Sequence, residues 1–144
     1  MIVNSWARHY QEIWLERAGD PALPDWLRVA SAAYGRHRAN GHATFKRGQL
    51  ALILASVDRE TGAVVPLDRR HLYRAIQTAI SHHWLSERST ARCLVVPAHA
   101  VTGGLGDAWE ECPQHVRHPA KRHHSGMTFT PKRHHPVMSE GATQ

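Results

Sequence analysis

Four side chains in the second half of this 144-residue chain could together hold a metal ion: Cys93, His99, Cys112 and His115. Two thiolates and two imidazoles make the closed, tetrahedral donor set of a structural zinc site. Cys112-x2-His115 is a tight chelating step, whereas Cys93-x5-His99 is looser because it leaves an extended run before reaching a turn. Zinc held here would tie a Gly-rich loop and the start of the C-terminal tail to the strand before them, where no apolar pattern could do so. The spacing matches no standard finger. His118 offers itself as a substitute for His115 or His99. The competing reading makes Cys93 a small buried hydrophobe and Cys112 a free thiol. A Cys93–Cys112 disulfide is disfavoured by the reducing cytoplasm expected for a chain without a secretory signal.

Catalysis finds less support. The pairs His82-His83, His123-His124 and His134-His135 suggest a histidine-metal nuclease, which would also need placed acids. Asp107, Glu110 and Glu111 are the only acids close in sequence, and no paired carboxylates stand at useful spacing. There is no nucleophile elbow, no phosphate-cradling glycine loop and no HExxH. His82 and His83 fit a helix C-terminus, where a cation is favourable. The chain is therefore expected not to be an enzyme.

A second constellation suits nucleic acid. Arg69, Arg70, Tyr73, Arg74 and Gln77 share the polar side of one helical stretch. Arg bonds guanine bidentately, Gln bonds adenine, and Tyr reaches phosphates. Lys46 and Arg47 open an earlier helix, where a phosphate would meet free backbone amides. Arg88 and Arg92 flank a turn and could hold phosphates beside the groove. The competing reading is a solvated helix face.

The elements that must position these groups follow from periodicity and punctuation. Residues 5–18 form a helix capped by Asn4 or Ser5 and ended by Gly19. A second helix starts near Pro24 and Asp25, keeps Trp26, Leu27, Ala30, Ala33, Tyr34 and His37 on one face, and ends at Asn40-Gly41. A short helix fits 46–55, and 56–67 is a loop with an extended piece at 63–65. The best-defined helix starts after Asp68 as N-cap, with Leu72, Ala75, Ile76, Ala79 and Ile80 as its buried stripe. Two extended runs, Leu85–Glu87 and Arg92–Val96, predict a hairpin across Arg88–Ala91. The core is expected to comprise Trp26, Tyr34, Leu50, Leu54, Leu72, Ile76, Ile80 and Leu85. Trp6 and Trp14 lie on the first helix and pack on the domain's own core, or else face a partner or a second copy of the chain.

This order, and the strings WLRVASAAYGRHRANGHATFKRGQLA, LYRAIQTAI..HWL and STARCLVVPAHAVTGG, resemble small winged helix-turn-helix proteins of actinobacterial phages, plasmids and mobile elements. The resemblance covers about residues 24–115. It implies a mainly α fold with a small β-hairpin, in which one helix enters the major groove of double-stranded DNA and the hairpin, or wing, touches the backbone beside it. It also implies a role in transcription regulation or, alternatively, as an accessory protein binding a replication origin. The domain boundaries expected are an N-terminal helix at 1–20, the winged helix-turn-helix domain at 21–111 and a basic, disordered tail at 112–144. The 56–67 loop is longer than a tight helix-turn-helix allows.

Composition agrees with that class. Lys and Arg number 18 against 12 acids, a net charge of +6, with 13 histidines besides. Such a balance suits a polyanionic partner. The charge is uneven: residues 112–144 carry five Lys or Arg against Glu140, and residues 1–111 carry thirteen against eleven acids. The string KRHH occurs twice in the tail, at 121–124 and 132–135. No apolar run approaches the ~18 residues of a membrane helix. One ordinary domain is expected, in the cytoplasm of a bacterial host, at its nucleoid.

Overall fold

The computed structural model describes residues 6–115. Helix α1 (Gln11–Gly19) and helix α2 (Asp25–Arg36) lead into strand β1 (His42–Thr44) and the short helix α3 (Gln49–Ile53). Strands β2 (Ser56–Val57) and β3 (Val64–Val65) precede helix α4 (Arg69–Ser81), and β4 (Cys93–Val95) closes the order. The described residues are thus mainly helical with two small antiparallel sheets, β1-β4 and β2-β3.

Helix α2 is the centre of the domain. Residues Arg28 to Gly35 are all buried, a run of eight rather than a stripe. Four of them are Ala or Gly, so neighbours can approach closely. A Cβ on Gly35 would lie 2.7 Å from Leu15 Cγ and 3.0 Å from the Leu15 backbone nitrogen of α1. The one charged member, Arg28, is satisfied by backbone: its Nε donates to the Ala18 carbonyl at 2.9 Å, at the end of α1. It also pairs with Asp25 at 3.4 Å. Charge buried in this way needs such partners. Leu50, Leu54, Leu72, Ile76, Ala79, Leu85 and Leu94 complete the core around α2. Of the expected core, Trp26 and Ile80 are only half-buried.

Trp14 packs inward, its ring 5.3 Å from Tyr34 and 6.5 Å from Trp84. Trp6 is 81% exposed and precedes the helix. The helix starts six residues later than periodicity predicts. Its side chains explain the delay: Trp14 Nε1 donates to His9 Nδ1, and Gln11 Nε2 donates to the His37 carbonyl, which holds the 6–10 segment across the end of α2. The expected caps Asn4 and Ser5 lie outside the described residues. The second helix stops at Arg36, with His37 extended as its C-cap, before the Asn40-Gly41 turn. The third helix is shorter than 46–55 because Gly48 sits at φ 77°, a left-handed conformation that a helix cannot contain.

The expected wing hairpin is corrected. Strand β4 pairs with β1, not with 85–87, in the register His42↔Val95, Ala43↔Leu94, Thr44↔Cys93. Residues 85–92 keep only a tight turn, in which Thr90 and Cys93 exchange backbone bonds, and a bond from Ser86 N to the Val95 carbonyl. The regular hairpin lies elsewhere, in the 56–67 stretch, where β2 and β3 pair around Asp58. The Asp58 carboxylate accepts the Glu60 and Thr61 amides, and Gly62 at φ 70° completes the turn.

Helix α4 forms as predicted. Asp68 caps it, accepting from the amides of Arg70 at 2.8 Å and His71 at 3.1 Å. The His71 backbone amide, then its ring, hold the Asp68 carboxyl below the ordinary carboxylate range.

Two outcomes follow from this packing. Gly35→Ala gains about 1 kcal/mol of helix propensity but overpacks at a cost of about 1–3 kcal/mol. Because a backbone atom of Leu15 is in the way, the clash wins, and urea unfolding should show a destabilised variant. Asp68→Ala should lower the thermal midpoint at neutral pH. A carboxyl whose folded value is depressed stabilises above its unfolded value and loses that effect as pH falls through the folded one. The gap between variant and parent should therefore close in acid, as thermal melts across pH would show.

Candidate metal centre and basic helix face

The β1-β4 pair has two faces, because alternate residues of a strand point oppositely. Ala43 and Leu94 enter the helical core, both fully buried. His42, Cys93 and Val95 face the other way. That face is covered by the end of the described chain, where Cys93, Val95 and Cys112 form a separate small cluster. The chain returns there after the long irregular stretch 97–111. Glu110 fixes the approach: its carboxylate pairs with Arg38 at 2.9 Å, and its carbonyl accepts from Asn40 Nδ2 at 2.8 Å. A turn closed by His115 N to the Cys112 carbonyl then brings Cys112 and His115 onto one side.

The result is a cluster of His42, Cys93, Cys112 and His115, whose donor atoms all lie within 4.8 Å of one another. Cys93 Sγ is 3.6 Å from Cys112 Sγ and 3.4 Å from His42 Nδ1. Both cysteines are free thiols. Zn–S bonds of 2.3 Å at a tetrahedral angle would set two sulfurs about 3.8 Å apart, close to what the cluster offers. The rings of His42 and His115 meet edge-on at 4.9 Å. His115 is oriented from behind, its Nε2 donating to the Arg88 carbonyl at 2.7 Å. That leaves Nδ1 buried without a hydrogen-bond partner among the described residues. A buried imidazole nitrogen without a hydrogen-bond partner beside two thiols fits a metal ligand, and the second-nitrogen bond to a carbonyl is the usual orienting contact. The arrangement is compatible with a metal site.

The electrostatics are those of a partly dry pocket. Burial, then the hydrogen bond and the like charge of Cys112, push the Cys93 thiol up to about 12; the Arg88 guanidinium opposes them. Burial, then His115 and Arg88, lower His42, which favours the neutral, ligating imidazole.

Three of the four ligands expected from sequence thus come together, and the fourth does not. His99 is exposed on the loop after β4 and is no part of the cluster; His42 takes its place. No spacing rule could find His42, which lies 51 residues from Cys93 and meets it only through strand pairing. His118 and both KRHH strings lie outside the described residues.

The nucleic-acid candidates are placed as follows. Arg69, Arg70, Tyr73, Arg74 and Gln77 are all exposed on α4, opposite the buried Leu72, Ala75, Ile76 and Ala79. At about 100° per residue they span an arc of about 140°. Arg69, Tyr73 and Gln77 border a cleft of about 240 Å3 whose other wall is Ser89, Thr90 and Ala91. Helix and turn therefore present one surface. Arg92 is exposed at the turn, its Nε donating to the Phe45 carbonyl at 3.0 Å. That places it beside Lys46 and Arg47, which are exposed but precede α3 rather than opening it. With five residues, α3 is too short to provide the helix-end phosphate site expected there. Arg88 is exposed and lines the opening of the two-cysteine, two-histidine cluster together with Trp109 and Glu111.

Comparison with protein-family models, with curated proteins and with solved structures finds no match.

Cobalt(II) titration should separate the two candidate ligand sets. His99→Ala is expected to keep the tetrahedral cobalt spectrum of the parent, and His42→Ala to lose its intensity.

Proposed function

We propose that this chain binds double-stranded DNA in a sequence-specific manner and acts in transcription regulation, with α4 as the helix that enters the major groove. The observation that carries this reading is the exposed face of α4: three arginines, a tyrosine and a glutamine in one arc, with no acid anywhere on the helix. A merely solvated face would mix signs, whereas Arg and Gln are the residues that read guanine and adenine edges. The topology supports it. A strand between the second and third helices pairs with the strand after α4, and the 86–92 turn stands beside the groove-reading face as a wing would. Hairpin β2-β3 fills the link between α3 and α4, so the two are not joined by a tight turn, and α4 alone carries the reading.

The same reading assigns a structural zinc ion to His42, Cys93, Cys112 and His115. Two thiolates and two neutral imidazoles fit zinc better than harder cations. The ion would close residues 97–111 onto the sheet, a stretch with few apolar anchors of its own.

Selection of bound sequences from a random DNA pool should enrich a defined site. On that site Arg74→Ala should weaken binding by about 5- to 150-fold, the equivalent of one lost bidentate base contact. Parent and variant should share nearly the same affinity for unrelated DNA. Log affinity should fall linearly with log salt at a slope of about −0.9 per phosphate neutralised. No enriched site, or an unaffected variant, would sink the assignment of α4.

A further inference from the structure

The metal centre and the proposed DNA surface meet at one residue. Arg88 belongs to the 86–92 turn, and its carbonyl accepts the Nε2 proton of His115. Its neighbours are held from the β4 side: Ser86 N donates to the Val95 carbonyl, Ser89 Oγ accepts from Val95 N at 2.9 Å, and Thr90 exchanges bonds with Cys93. Arg88 N has only a 3.3 Å contact to Ser86 Oγ. The corner of the turn at Arg88 is therefore held from the other side by His115.

His115 in turn depends on the cluster. It lies four positions beyond an exposed Glu111, and of residues 111–114 only Cys112 is buried. Beyond the Glu110 anchors and the bond to Arg88, the four side chains meet one another only through a thiol–thiol contact, a thiol–imidazole contact and an edge-on ring pair, all weak interactions. With an ion on Nδ1, the ring is fixed at one nitrogen and its other nitrogen is aimed at the Arg88 carbonyl.

We infer that zinc bound by His42, Cys93, Cys112 and His115 sets the position of the Arg88 corner through His115, so that DNA affinity depends on the occupancy of the centre. This rests on the DNA-binding reading above. The ion's own contacts are with its four ligands. It acts by positioning, and His115 and the Arg88 backbone are the coupling elements.

The experiment uses the full chain, cobalt(II) and zinc, and the DNA site obtained by selection. Cobalt should bind one to one with thiolate charge-transfer bands and the intense visible bands of a tetrahedral site. Stripping the metal with a chelator should lower DNA affinity about tenfold, the equivalent of one hydrogen bond to a charged phosphate, with the helical circular dichroism kept, and adding zinc back should restore it. In Arg88→Ala the affinity should start lower, and the chelator should change it by less than about twofold. Absent cobalt bands would overturn the centre itself. Bands with metal-independent DNA affinity would overturn the coupling and leave the centre standing. An undiminished chelator effect in Arg88→Ala would also overturn the coupling, since the ion would then be acting on the whole fold. No DNA binding with or without metal would overturn the functional reading and the coupling together, while the cobalt spectrum still reports on the centre.

Discussion

The antiparallel pairing of His42–Thr44 with Cys93–Val95 is the constraint on which the rest of this domain depends. Three residue pairs are a small sheet, but each face has a separate task. Ala43 and Leu94 close the helical core on one side. His42 and Cys93 begin the two-histidine, two-cysteine cluster on the other. Flanking bonds lengthen the pairing at both ends, from Phe45 N to the Arg92 carbonyl and from Val96 N to the Gly41 carbonyl. A strand buried along its whole length must have its backbone groups paired, because no water is present to replace the partner. That requirement gives β4 a partner 51 residues away instead of the nearer 85–87 run.

The helices are organised around α2 for a related reason. A helix buried over eight consecutive residues must be small on most sides, and its Ala, Ser and Gly residues allow that. Helix α1 then lies close enough to meet Gly35 almost at backbone contact, and Arg28 takes up the Ala18 carbonyl at the end of α1. Helix α4 packs with an ordinary apolar stripe, which leaves its opposite face free. The basic face and the buried core are two consequences of one amphipathic pattern.

Much of this was legible in the residues. The span of α4, its Asp68 cap and its buried stripe follow from local rules, and the structure agrees with them. Cys93, Cys112 and His115 are recognisable as candidate ligands from donor type and a short step, and the structure brings them together. His99 was the natural fourth partner on sequence distance, and the pairing of β1 with β4 replaces it with His42. The hairpin expected across 85–96 fails for the same cause: adjacency suggests it, while the pairing runs between distant strands. Glycine conformations account for two further differences: Gly48 shortens α3, and Gly62 turns the β2-β3 hairpin.

By itself the sequence determined what is local: where α4 begins, which of its faces is apolar, which side chains carry positive charge, and that two thiols and several imidazoles were available. These depend on periods of a few residues and on the chemistry of single side chains. Only the tertiary structure decided which imidazoles meet the thiols, which strand covers which, and that the turn at Arg88 is held by His115. Those choices depend on burying one face of a three-residue sheet against helices and the other against a returning segment. That is a balance over residues far apart in the chain, and no short spacing records it.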